Sequence, residues 1–74
     1  MVILKDNKKV IEEMTIQGYS QRALAKNIPC SQTTISLILR GERNPSPRVA
    51  KRMAEILKLK FKSVFFIKSD YKSN

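Results

Sequence analysis

The segment 32–40 carries polar side chains at the spacing of one helix face. Successive residues of an α-helix turn by about 100°, which gathers Ile35, Ile38 and Leu39 on one side as a face to bury. Amide, hydroxyl, methyl and guanidinium groups on the other side are suited to base edges in a DNA major groove, which is about 12 Å wide. This outer set consists of Thr33, Ser36, Leu37 and Arg40, with Gln32 on the shoulder at the exposed amino-terminal end.

A helix this short needs a neighbour that supports it, because helix nucleation is costly and most helix stability comes from packing. Ser20 is a good cap for a preceding helix over 21–28, Pro29 forces that helix to end, and Ser31 caps the next one. Two short helices joined by a tight turn leave the outer face of the second projecting. The start of the first can then meet a phosphate through its free N–H groups, as in a helix-turn-helix.

Further segments complete the predicted domain. An opening helix is capped by Asp6 or Asn7 and ended by Gly18, and Ser46 with Pro47 opens a fourth helix. The closing stretch "KFKSVFFIKSDYKSN" is interpreted as a short fifth helix, with an extended segment as the alternative. The residues expected to face inward are Val10, Ile11, Met14, Leu24, Ala25, Ile28, Ala50, Met53, Ala54 and Leu57, with Phe61, Phe65 and Phe66 assigned to the core or, alternatively, to a dimer surface.

Composition limits the possible functions of these 74 residues. Fifteen lysines and arginines against six acids give a net charge of +9, which favours a polyanionic partner. The chain has no histidine and a single cysteine, Cys30, so no disulfide or Cys/His metal site is expected. Without a carboxylate pair or a glycine-rich phosphate loop either, we predict that it is not an enzyme and takes no cofactor.

The predicted organisation is a single all-α domain of four to five helices over 1–67, followed by a polar tail over 68–74. The order of residues 1–5 and 68–74 stays open, although their polar or terminal character suggests fraying. No apolar run approaches the ~18 residues of a membrane span. We therefore expect a cytoplasmic protein with no membrane partner.

Residues 19–59 resemble the helix-turn-helix domains of the Cro and phage-repressor type (XRE-like). The resemblance is carried by "YSQRALAKNI", "SQTTISLIL", "RGERNPSP" and "AKRMAEILKL", which occur in the order and spacing of that family. It implies a compact lambda-repressor-like fold. It also implies a sequence-specific regulator of transcription that binds double-stranded DNA and acts as a repressor encoded by a prophage or mobile element. Because one such helix reads only about four or five base pairs, useful specificity further predicts a homodimer, at least on DNA.

The resemblance also implies roles for particular residues. It assigns base contacts to Gln32, Thr33, Ser36 and Leu37. Gln32 occupies the position at which the family often reads adenine. Phosphate contacts fall to Gln21 at the start of the second helix, and to Arg40, Arg43 and Asn44. Pro29 and Cys30 depart from the glycine and small apolar residue common in the family's turn, and Leu37 replaces a residue that is more often polar.

Plainer interpretations stay open for several of these residues. Gln32 could be only a solvated first-turn residue, and Leu37 could belong to the core or to a dimer contact. Lys51 and Arg52 are expected only as a solvated face, Cys30 as a partly packed turn residue, and Tyr19 and Tyr71 as lids rather than stacking platforms. The alternative function is a protein-interaction module, such as an antirepressor, modulator or antitoxin, on the same scaffold.

Overall fold

Within residues 1–69, which the computed structural model describes, the chain forms five helices and one two-stranded sheet. The predicted all-α class with four to five helices is confirmed, and the small sheet is an addition to it. None of the helices in this part of the chain is long and apolar enough to span a membrane. In chain order the elements are β1 (Val2–Leu4), α1 (Asn7–Gln17), α2 (Gln21–Lys26), α3 (Gln32–Leu39), α4 (Pro47–Leu57), α5 (Phe61–Val64) and β2 (Phe65–Ile67).

The first four helices begin at caps that the sequence predicts. In each case the side-chain oxygen of the cap accepts a hydrogen bond, 3.0–3.2 Å long, from the backbone N–H three residues further on. Such a bond satisfies one of the N–H groups that a helix start leaves unpaired. The capping residues are Asp6, Ser20, Ser31 and Ser46.

Helix α1 ends at Gln17 before Gly18, as predicted, whereas the ends of α2 and α3 differ from the predictions by two residues and one residue. Helix α2 ends at Lys26 rather than at residue 28, because the residue before Pro29 is disfavoured in helical conformation and the last turn loosens. Helix α3 ends at Leu39, after which Gly41 takes a left-handed φ of 76° and turns the chain into the loop.

The core lies between α1, α4, α5 and the α2–α3 pair. Ile35 and Ile38 of α3 have no exposed surface, as their spacing predicts. The prediction that Ile11 faces inward is wrong, since its side chain is 45% exposed and the buried face of α1 is formed by Val10 and Met14. The buried apolar residues are Val2, Val10, Met14, Leu24, Ile28, Ile35, Ile38, Leu39, Val49, Ala50, Met53, Ala54, Leu57, Val64 and Phe65.

The sheet joins the two ends of the described chain. Strands β1 and β2 are antiparallel, and Ile3 pairs with Phe66 while Leu4 pairs with Phe65. The backbone N–H of Lys5 also donates to the carbonyl of Val64 at 2.8 Å. The fraying suggested for residues 1–5 is therefore not observed, because backbone hydrogen bonds join this segment to residues 64–67.

The closing stretch contains both of the conformations weighed for it, a short helix and then a strand. Because side chains alternate across a strand, Phe65 is buried while its neighbour Phe66 is 42% exposed, so the assignment of Phe66 to the core is wrong. Phe61 is half-buried against the ring of Phe65. The rest of the predicted tail from residue 70 onward, including Tyr71, lies outside the described residues.

The neighbouring phenylalanines give a matched test of this register. We expect Phe65→Ala to lower the free energy of unfolding by about 3–5 kcal/mol, because it leaves a cavity in the core. Phe66→Ala is expected to cost about 1 kcal/mol or less, since much of its ring is already in water. Urea unfolding of both variants measures the difference, and equal losses would contradict the observed alternation.

Candidate nucleic-acid interface

A shallow hollow of about 440 Å³ lies between the start of α2 and the outer face of α3. Its lining consists entirely of side chains with hydrogen-bonding groups, two of them amides, two hydroxyls and one a guanidinium. All five were predicted from the sequence as contact residues. They are Gln21, Gln32, Thr33, Ser36 and Arg40.

The other three predicted residues lie outside this hollow. Leu37 is on α3 but half-buried, and Arg43 and Asn44 are exposed in the loop that follows that helix. The side-chain amide of Asn44 lies 3.3 Å from the sulfur of Met1, within reach of a weak hydrogen bond. This loop is therefore held next to the beginning of β1.

The charge at the hollow is positive. Helix α3 has no acidic residue in its first turn, so nothing there offsets the positive end of the helix dipole. At the other end, the guanidinium Nε of Arg40 lies 3.4 Å from a carboxylate oxygen of Glu42, and both side chains are more than half exposed. An exposed pair of this kind is worth little in water, so Arg40 remains able to exchange Glu42 for a phosphate.

The carboxyl-terminal end of α3 is held by α1. The side-chain amide of Asn7 donates to the carbonyl oxygen of Leu39 at 3.0 Å, in a partly buried position. The last carbonyls of a helix have no partner within the helix, so this bond satisfies one of them and ties α3 to α1. The sequence indicated Asn7 only as a possible cap of its own helix, since no local pattern links residues 32 positions apart.

The turn before α3 is held by α4. The Nε of Arg52 donates to the carbonyl oxygen of Asn27, the residue that ends α2, at 3.0 Å. A second nitrogen of the same guanidinium lies 3.6 Å from Glu55. Arg52 was expected only as a solvated charge, so this positioning contact was missed.

Cys30 lies in the same turn and is half-buried against the core, as predicted for a packed turn residue. Burial raises the pKa of its thiol above the usual value because the thiolate is poorly solvated there. A raised pKa lowers the fraction of thiolate, which is the reactive form. The environment of Cys30 therefore disfavours redox chemistry at neutral pH.

Two comparisons with known proteins agree with this geometry. The family model described as "Helix-turn-helix" matches residues 11–63. The chain is also 37% identical over 57 residues to the uncharacterized HTH-type transcriptional regulator YvzC of Bacillus subtilis (strain 168), an alignment that covers 77% of this chain and 74% of that protein. The chain belongs to the helix-turn-helix family.

The thiol gives a direct probe of the turn. We expect iodoacetamide to modify Cys30 of the native protein more slowly than Cys30 of the chain unfolded in urea, at the same pH near 7.5, because both the raised pKa and the partial burial protect it. Mass spectrometry of timed samples measures the two rates. Native modification as fast as that of the unfolded chain would show that the turn is open to solvent.

Proposed function

We propose that this protein is a sequence-specific transcriptional repressor that binds double-stranded DNA with α3 in the major groove. The observation that carries the proposal is the hollow of Gln21, Gln32, Thr33, Ser36 and Arg40, in which groups suited to bases lie beside groups suited to phosphates. Membership of the helix-turn-helix family supports DNA binding and regulation. The resemblance to Cro and phage repressors supports the repressor role and an origin in a prophage or mobile element.

In this proposal, Gln32, Thr33, Ser36 and Leu37 contact base edges. A glutamine amide can donate to and accept from adenine at the same time, and the methyl groups of Leu37 suit the methyl group of thymine. The phosphate contacts are assigned to Gln21, Arg40, Arg43 and Asn44. Because the net charge is +9, the contribution of these phosphate contacts to the binding free energy is large and depends strongly on salt concentration.

One copy of α3, with eight residues, reaches only about four or five base pairs. Useful specificity therefore requires two copies. We expect a homodimer, formed at least on DNA, whose α3 helices enter successive major grooves about 34 Å apart.

The base-reading and phosphate roles are separable with two substitutions. Gln32→Ala is expected to weaken specific binding by about 1–3 kcal/mol and to relax the preference at one base pair. Arg43→Ala is expected to weaken binding to all sequences alike and to reduce the salt slope by about one unit. Fluorescence anisotropy on specific and random duplexes measures both, and equal loss on the two duplexes for Gln32→Ala would remove its base-reading role.

Selection of bound duplexes from a random pool tests the whole proposal. At about 150 mM salt, where non-specific phosphate binding is already weak, we expect a palindromic motif with half-sites about ten base pairs apart. A non-palindromic short motif would contradict the dimer alone. No enrichment would contradict DNA reading and favour a protein-interaction module on the same scaffold.

A further inference from the structure

A second surface depression, of about 630 Å³, lies between the turn after α2 and the exposed face of α4. Its walls carry Lys26, Arg48, Lys51 and Arg52, and Pro29 contributes exposed apolar surface above the buried Ile28. We call it the basic groove. It shares no lining residue with the hollow on α3.

The positive charge of the basic groove is largely uncompensated. Glu55 is the one acidic residue that lines it, and this carboxylate already lies 3.6 Å from the guanidinium of Arg52. Within residues 1–69, no hydrogen-bonding or ion-pair partner meets the side chains of Lys26, Arg48 or Lys51. These like charges line one groove, so an anion bound between them would reduce their mutual repulsion.

Contacts within the chain connect the two walls of the groove. The hydrogen bond from Arg52 to the carbonyl of Asn27 joins its two walls at 3.0 Å. Ile28 anchors the turn side in the core, where it is buried. On the helix side, Arg48, Lys51 and Arg52 recur at helical spacing and so share one face of α4.

Three features distinguish the kinds of anion that could bind there. A DNA backbone gains little from contact with apolar surface such as Pro29, whereas a peptide with an apolar side chain gains from it. No aromatic side chain lines the groove to stack a nucleotide base. From Arg48 to Glu55 the groove follows about 10 Å of α4, the length of about three residues of extended chain.

We infer that the basic groove binds a short acidic segment of another protein, in which carboxylates flank an apolar residue. The carboxylates contact Lys26, Arg48 and Lys51, and the apolar side chain lies on Pro29. Glu55 repels further acids at its end of the groove and so limits how far the acidic segment extends in that direction. This inference does not depend on the proposed DNA binding.

The probe is a short synthetic peptide of glutamates around a single leucine, and its control peptide has glutamine in place of every glutamate. Each is titrated into the ¹⁵N-labelled full chain at about 150 mM salt and followed by NMR. We expect saturable shifts at the amides of Lys26, Lys51 and Arg52 with the glutamate peptide, and much weaker binding of the glutamine peptide. No saturable shifts, or shifts centred on Gln32 and Ser36 instead, would overturn the inference.

Matched variants test the named cations. Lys51→Gln and Arg48→Gln are each expected to weaken peptide binding about two- to fivefold, because each removes one ion pair from an exposed site. Lys8→Gln removes the same charge from the exposed side of α1, and we expect it to leave binding unchanged. Equal weakening by all three would mean that only net charge matters and would overturn the inference.

DNA titrations with the same variants separate a protein partner from a nucleic acid. We expect Lys51→Gln to leave unchanged the slope of log affinity against log salt for duplex DNA. A slope reduced by about one unit would place a DNA phosphate in the groove and overturn the inference. Because the peptide titration contains no DNA, its result can be interpreted even if the proposed function fails.

Discussion

Burial of one face of α3 is the interaction on which the remaining structure depends. This helix has only eight residues, too few to persist alone in water. Ile35 and Ile38 are completely enclosed, and each side chain of this kind contributes about 1.5–3 kcal/mol when it leaves water. Because the inner face supplies the stability, the outer face is free to carry an amide and hydroxyls whose value lies in their chemistry.

Packing alone does not settle the angle of so short a helix, and the polar contacts at its two ends restrict it further. Asn7 reaches the last carbonyls of α3 from α1, and Arg52 reaches the turn before α3 from α4. Both donors approach carbonyl groups that a helix end leaves without a partner in the helix. Helices α1 and α4 thus contribute no side chain to the hollow, yet they position α3, which contributes most of its lining. A binding surface requires such support, because small misplacements of its side chains are costly.

Local interactions could be predicted from the sequence, and distant ones could not. Each helix cap acts over only three residues, so its position before an apolar periodic run was enough to place a helix start. The starts of the first four helices were placed in this way, by Asp6, Ser20, Ser31 and Ser46. The pairing of Val2 with Ile67 joins opposite ends of the described chain, and a strand of three residues is too short to show any periodicity. The same limit hid the contacts of Asn7 and Arg52, since each depends on how helices pack.

The candidate site shows this limit at finer scale. Periodicity places both Ser36 and Leu37 on the outer side of α3, but one residue corresponds to about 100° of rotation. The part of that side that forms a hollow depends on where the start of α2 lies. Gln32, Thr33 and Ser36 line the hollow, whereas Leu37 lies outside it. A single-helix pattern therefore identifies the candidates, and the neighbouring helix determines which of them act together.

The two polar surfaces lie near the two ends of α2, a helix about 9 Å long. This separation is close to the distance over which charges are screened at physiological salt, about 8 Å. An acidic segment held near Lys26 would therefore still lower the positive potential around Gln21, though weakly. By thermodynamic linkage, the same interaction would make a polyanion bound at α3 weaken the binding of that segment. The two proposed ligands would therefore antagonise each other's binding without any change in the conformation of the chain.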